Sequence, residues 1–204
     1  MKTIKLPYKA KEDLTPIFEE YSNVVKYSYN SFLQGKSKKN IKKLKSKELS
    51  NIYLINSWLI KCGIKDAELI YNFVNEYNIP KDYQLEGLLP IKVEGDKLRK
   101  GNRSFKLDIK NNRIIFKIDK NNKIKLKLPR LGKKIKNQLF KLEELNKVRK
   151  GKEGYPFSIK LDTENIYISF EKIKDDESES GGSKSDEYQY AIIEGDNIIT
   201  PDYL

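Results

Sequence analysis

The chain is predicted to be an α+β protein: one short strand, a helical region to about residue 80, a strand-rich region to about residue 172, and an acidic tail. Three observations predict this. Apolar residues recur at helical spacing in the first part, lysine alternates with aliphatic residues in the second, and the composition breaks after residue 172.

Thr3-Ile-Lys-Leu6 reads as a short strand ended by Pro7. Thr15 and Pro16 then stand as an N-cap and a first helical residue. Ile17, Phe18, Tyr21, Val24, Val25 and Phe32 follow near i, i+3, i+4 spacing to about Leu33, and Gly35 is placed to end that helix. Ser37 can cap a short, very basic helix through Lys47. Asn51 to about Tyr77 reads as a third helix, with Ile55, Trp58, Leu59, Cys62, Leu69, Ile70 and Phe73 on its buried side and Ile79-Pro80 as its stop.

Leu88-Leu-Pro-Ile-Lys-Val93 opens the strand region. Its clearest segment is Lys123-Ile-Lys-Leu-Lys-Leu128, a strict alternation that sends one face to a core and presents lysines on the other. The pattern recurs at Ser104–Ile109, Ile114–Ile118 and Phe157–Leu161, so a sheet with an apolar inner face and a basic outer face is expected. Turn residues cluster at 110–112, 119–122 and 162–165. Between the strands, Ile135, Leu139, Leu142 and Leu145 mark a helix over 133–149. Asn165 to Glu171 is the last convincing strand, with Ile166, Ile168 and Phe170 on one face. Residues 175–185 are low-complexity, acidic and expected to be disordered. The segments 188–193 and 197–199 flank Glu194-Gly195-Asp196 as a small hairpin, which alone is too small to be stable and must dock or fray.

A chain of 204 residues can bury a core as one large domain or two small ones. The net charge of +12 is unevenly placed. Residues 173–204 hold two lysines and nine acids, a net of −7, which leaves +19 to residues 1–172. Nucleic acid is the leading partner class for such a body, because each Lys or Arg set against a phosphate releases a counterion. An anionic membrane surface is the weaker alternative. The tail can also fold back on the basic body and compete with nucleic acid. The absence of histidine excludes His-based acid–base catalysis and His-containing metal sites. The single Cys62 excludes an intramolecular disulfide and a Cys-rich zinc site, and it reads as a core thiol. With no apolar run approaching ~18 residues and no signal-type N-terminus, a cytosolic protein is expected.

The candidate binding residues are basic. Lys106, Lys117, Lys123, Lys125, Lys127 and Lys160 alternate along strands; each alone is as well explained as solvated surface, but together they favour phosphate contact. Lys38, Lys39, Lys42, Lys43 and Lys45 crowd the second helix, which would be basic nearly all round, as a backbone-tracking element is. Lys97, Arg99, Lys100 and Arg103 surround Gly101-Asn102, where a glycine lets backbone approach a phosphate. Tyr27 and Tyr53 lead the candidates for base stacking, with Tyr29, Tyr71 and Tyr77 behind them, though tyrosines at helical spacing more often line a core. Carboxylates at 12, 13, 19, 20, 66, 68, 108 and 162 are scattered rather than convergent, so no metal-dependent nuclease site, cofactor or catalytic set is expected.

The ordered blocks Met1-Lys-Thr-Ile-Lys-Leu-Pro-Tyr8, Val24–Leu33, Asn56-Ser-Trp-Leu-Ile-Lys-Cys62, Lys100-Gly-Asn-Arg-Ser-Phe-Lys-Leu107 and Asn165–Glu171 resemble the N-terminal half of TnpB/OrfB transposon proteins and compact type V CRISPR effectors, over about residues 1–172. That resemblance implies a wedge domain, an oligonucleotide-binding-like β-barrel formed by residues 1–9 and 81–172, with a helical recognition-type lobe at 10–80. It implies a guide-type RNA or RNA–DNA duplex as ligand. The RuvC nuclease domain of that family is not recognisable here. Residues 190–199 are similar only to its second-strand hairpin, so its cleavage activity is not carried over. A non-catalytic RNA-binding protein is therefore expected. Alternatives are one half of a split nuclease completed by a separate RuvC-bearing chain, an inhibitor or regulator of a related effector, or an inactive remnant.

Overall fold

In the computed structural model, which describes residues 1–44, 55–79, 85–119, 121–148, 152–173 and 192–194, the first strand finds its partner near the far end of the sequence. Strand β1 (Lys2–Pro7) pairs antiparallel with β9 (Asn165–Phe170), Leu6 opposite Ile166 and Lys2 opposite Phe170. β8 (Phe157–Leu161) follows on the other side of β9, and β2 (Ile91–Val93) pairs with β8. β10 (Ile192–Glu194) adds to the remaining edge of β1, giving the order β10-β1-β9-β8-β2. The alternation of these strands sends Ile4, Leu6, Ile91, Val93, Phe157, Ile159, Leu161, Ile166, Ile168 and Phe170 into the core.

The helices α1 (Thr15–Leu33), α2 (Lys38–Leu44) and α3 (Ser57–Glu76) are inserted between β1 and β2 in the sequence. α1 begins one residue earlier than expected, with Thr15 already helical, Pro16 in its first turn and Leu14 at the N-cap without a side-chain cap; it ends before Gly35, whose φ of +74° suits a residue without a Cβ. α3 starts later than the apolar pattern suggests, at Ser57. Asn56 caps it by accepting from the Trp58 N–H at 2.9 Å and the Leu59 N–H at 3.0 Å. Residues 51–54, where the expected helix begins, lie outside the described residues. The buried stripe of α3 is also rotated from the predicted one. Leu59, Ile60, Gly63, Ile64, Ala67 and Val74 are buried, whereas Leu69 is 56% exposed. Gly63 sets this rotation, because a Cβ there would lie 2.7 Å from Val24 Cγ1 of α1, closer than carbon atoms approach. The two helices meet at that point.

Strands β5 (Phe105–Asp108), β6 (Arg113–Lys117) and β7 (Lys123–Lys127) form a separate antiparallel sheet. Its inner face carries Phe105, Leu107, Ile114, Phe116, Ile124 and Leu126, with the Phe105 and Phe116 rings stacked at 4.5 Å. A two-stranded ladder, β3 (Gly95–Asp96) with β4 (Gly101–Asn102), stands between the sheets in sequence. The basic alternating segments read from the sequence as one sheet thus belong to two: Lys160 lies on β8, the other candidate strand lysines on β5, β6 and β7. The sheets are joined where Lys9 and Lys127 exchange backbone hydrogen bonds of 2.9 and 2.7 Å. α4 (Lys133–Leu145) closes the apolar side with Ile135, Leu139 and Leu142, and its Glu143 accepts the Ile109 N–H at 2.7 Å. The acidic run 175–185 lies outside the described residues, as does the expected hairpin apart from Ile192–Glu194, which pairs with β1.

Candidate nucleic-acid interface

The outward face of the three-stranded sheet is built by register. Lys106 of β5, Ile115 of β6 and Lys125 of β7 form one cross-strand row. Lys117 and Lys123 form the next, and Arg113 and Lys127 the third. Opposed cations are unfavourable in an antiparallel pair unless an anion or solvent separates them. The effect registers on Lys117, which is half-buried: burial first, and then the ammonium groups of Lys123, Lys106 and Lys100, lower its pKa below the ordinary lysine value. Lys100, five positions before β5 begins, therefore joins the same field. The one carboxylate in these rows is Asp108, at a corner, where its side chain accepts from Arg113 and Asn111. Among the described residues, no carboxylate pairs with Lys106, Lys117, Lys123, Lys125 or Lys127.

The helical lobe touches this sheet through Asn56. Its N–H bonds to the Ile118 carbonyl at 2.9 Å and its side-chain amide to the Lys117 carbonyl at 3.2 Å, while its side-chain oxygen caps α3. Next to it the Arg103 guanidinium lies 4.5 Å from the centre of the Trp58 ring. Trp58, expected in the core, is half-buried and carries this arginine on its face.

The loop of Lys97, Arg99 and Lys100 is exposed, but Gly101-Asn102 serves a different purpose from phosphate approach. Gly101 has φ of +84°, and a Cβ there would fall 2.4 Å from both the Asn146 side-chain oxygen and the Tyr155 carbonyl. The space is filled by the residue that ends α4. Asn102 is 3% exposed; its amide donates to the carbonyl of Phe157 at 2.9 Å and its oxygen accepts from the N–H groups of Ser104 and Phe105. This pair knits β4 to the β8 strand and leaves the surrounding cations outside.

The second basic helix also departs from expectation. Ile41 is wholly buried, and Lys38 is paired with Glu68 of α3, so α2 is not basic all round. Lys39 is exposed, and Lys42 and Lys43 lie in the same helix; Lys45 lies outside the described residues. Of the stacking candidates, Tyr27 is exposed on α1, and Tyr53 lies outside the described residues. Tyr29 is buried, Tyr71 packs on Phe32, and Tyr77 packs against Phe73.

The five-stranded sheet carries a second polar face that sequence reading reached only at Lys160. Lys5 of β1, Tyr167 of β9, Lys160 of β8 and Lys92 of β2 form one continuous row. The Lys5 and Lys160 ammonium groups lie 5.4 and 5.2 Å from the centre of the Tyr167 ring. Lys92, at the end of the row, acts electrostatically on Asp66 of α3. Asp66 is buried and accepts the Tyr21 hydroxyl at 2.6 Å; burial pushes its carboxyl up to about 6, with the pull of Lys92 and of Tyr21 opposing. The Cys62 thiol nearby is pushed up to about 12 by burial and then by Asp66 and Glu94, so it stays protonated and unreactive. Most of the other body carboxylates have local duties: Glu68 pairs with Lys38, Asp13 receives the Thr15 N–H, and Asp162 receives those of Glu164 and Asn165.

Among the described residues no helix is long and apolar enough to cross a membrane. The sequence model of the SSO2105 N-terminal domain matches residues 2–172, and the chain belongs to that family. No curated protein and no solved structure matches it.

Proposed function

We propose that this member of the SSO2105 N-terminal domain family is a non-catalytic binder of structured RNA or of an RNA–DNA duplex, held against the outward face of β5, β6 and β7. The observation that carries the reading is the gathering of Lys106, Lys117, Lys123 and Lys125 on one sheet face, with no carboxylate paired to them among the described residues; burial first, and then the ammonium groups of Lys123, Lys106 and Lys100, lower the Lys117 pKa, and a row of phosphates would relieve the crowding. A sheet face lined with lysines suits a ligand recognised by shape and backbone rather than by base edges. The insertion of α1–α3 between β1 and β2, with β1 returning to β9, supports the likeness to a wedge domain with a recognition-type lobe, as in the TnpB-like proteins the sequence resembles. On this reading the sheets act as an oligonucleotide-binding-like barrel and the lobe borders the ligand at Asn56 and Arg103.

The test is a salt titration of binding to a hairpin RNA by the full chain and by a Lys123→Ala/Lys125→Ala/Lys127→Ala variant. Three lost phosphate contacts are expected to weaken binding about 100-fold at ~0.15 M salt and to reduce the slope of log K against log salt by about three. Unchanged affinity and slope would remove the proposal. Sequencing of nucleic acid that co-purifies with the chain identifies the ligand.

A further inference from the structure

The five-stranded sheet has a face of different make from the lysine rows of the three-stranded sheet. Among the described residues Tyr167 is its one aromatic side chain, half-buried on β9. The sheet order sets Lys5 on one side of it and Lys160 on the other, and both ammonium groups stand within 5.4 Å of the ring centre. The next row along the strands is Ile193, Thr3, Ser169 and Ser158, of which the three beside and beyond Tyr167 are small hydroxyl residues. Thr3 and Ser169 bond to each other at 2.8 Å, and the Ser158 hydroxyl accepts the Gly95 N–H at 3.1 Å. The surface therefore drops beside Tyr167 to a low shelf whose hydroxyls are already engaged. Neither row contains a carboxylate.

A half-buried ring beside small residues, with a cation from each neighbouring strand, matches the needs of a single strand: a ring for a base to stack on and positive charge for the flanking phosphates. A duplex, whose bases are already stacked inside, has no use for the ring. We propose that this face is a second contact zone, for a single-stranded segment of nucleic acid, in which Tyr167 supports a base and Lys5 and Lys160 meet the adjoining phosphates. The proposal shares with the preceding reading only the class of partner, and it concerns other residues and another form of the polymer.

The experiment uses the full chain, a fluorescent decauridylate and an abasic strand of the same length and charge. The wild-type chain is expected to bind the decauridylate more tightly than the abasic strand. Tyr167→Leu is expected to weaken decauridylate binding about 5- to 150-fold and to abolish the difference between the strands. Tyr167→Phe keeps the ring and is expected to keep the difference. Lys5→Ala/Lys160→Ala is expected to weaken both strands and to reduce the salt slope by about 1.4. Equal binding of the two strands by the wild-type chain overturns the proposal, as does a Tyr167→Leu chain that melts like wild type and still prefers the decauridylate. Displacement by polyglutamate as effective, charge for charge, as by decauridylate assigns the face to acidic polymers in general and likewise overturns it. The Lys123→Ala/Lys125→Ala/Lys127→Ala variant is expected to retain the preference. The hairpin titration and the single-strand comparison therefore fail independently.

Discussion

The two sheets are made by the same alternation and end in different arrangements. On β5–β6–β7 Lys117 faces Lys123 across the ladder, and burial together with the neighbouring ammonium groups lowers the Lys117 pKa. On β1–β9–β8–β2 Tyr167 separates Lys5 from Lys160, and its ring lies close to an ammonium group on either side, while Lys160 faces Lys92 at the end of the row. A cation set over an aromatic face is stabilised by about 0.5–1 kcal/mol at an exposed site, whereas like charges directly opposed cost stability. The first face is left with charge that an anion would neutralise; the second satisfies part of its charge internally. The difference teaches that a repeated lysine–aliphatic pattern specifies a polar face but leaves its use to the partner strand.

Charge reversal sharpens this comparison most. Replacing Lys123 and Lys125 by Glu places carboxylates opposite Lys117 and within the row of Lys106, and should raise the melting temperature slightly while lowering duplex affinity by two orders of magnitude or more. Replacing Lys5 by Glu removes an ammonium group from the Tyr167 ring without touching the Lys160–Lys92 pair, and should lower the melting temperature. Thermal melts alongside anisotropy titrations would expose an error if both changes moved stability in the same direction.

The second effect arises where the five-stranded row meets the helical lobe. Asp66 is pushed up to about 6 from 3.8. A carboxyl whose folded pKa exceeds its unfolded value holds its proton more tightly when folded, so its contribution to stability is full below about pH 4 and is lost as pH rises towards 6. Asp66→Asn keeps an acceptor for the Tyr21 hydroxyl and removes the buried charge. It should therefore melt higher than wild type at neutral pH and show a flatter stability profile between about pH 4 and 6. A profile as steep as that of wild type would locate the titration elsewhere.

Gly63 and Asn56 mark smaller effects that separate the lobe from the two faces. Gly63→Ala forces a methyl to 2.7 Å from Val24 and should cost about 1–3 kcal/mol by denaturant unfolding. Asn56→Ala removes the cap of α3 and the bond to the Lys117 carbonyl, at a cost of about 1–2 kcal/mol. Because Asn56 holds the lobe against the three-stranded sheet, its loss should weaken duplex binding while leaving single-strand binding at Tyr167 unchanged.

Much of the fold was legible because periodicity is a local property. Among the described residues every strand of five residues or more, and the helices α1 and α4, follow from alternation or from i, i+3, i+4 spacing with turn residues between them, although the expected Thr15 cap of α1 is not formed. The buried stripe of α3 was misread because Leu69, Ile70 and Phe73 form as good an apolar row as Leu59, Ile60 and Ile64, and only the close approach of Val24 to Gly63 selects between them. The site was half legible. Lys106, Lys117, Lys123, Lys125 and Lys127 could be named, since each lies on the polar side of its own strand. The row of Lys5, Tyr167, Lys160 and Lys92 could not, because it exists only through the pairing of β1 with β9, and nothing in either segment announces the other. Gly101 was assigned to phosphate approach because a glycine among cations admits that reading; the side chain that fills its space, Asn146, is distant in sequence.

That pairing has a consequence for how the chain is made. Leu6 waits for Ile166 before its ladder can close. At ordinary elongation rates the interval is roughly ten to thirty seconds, during which the apolar side of β1 has no strand beside it while α1 and α3 can already pack together. Contacts so distant in sequence also slow the final folding step. The short, lysine-bearing β1, ended by Pro7, is a poor template for a stray strand from another chain, which protects the nascent protein until its own β9 arrives.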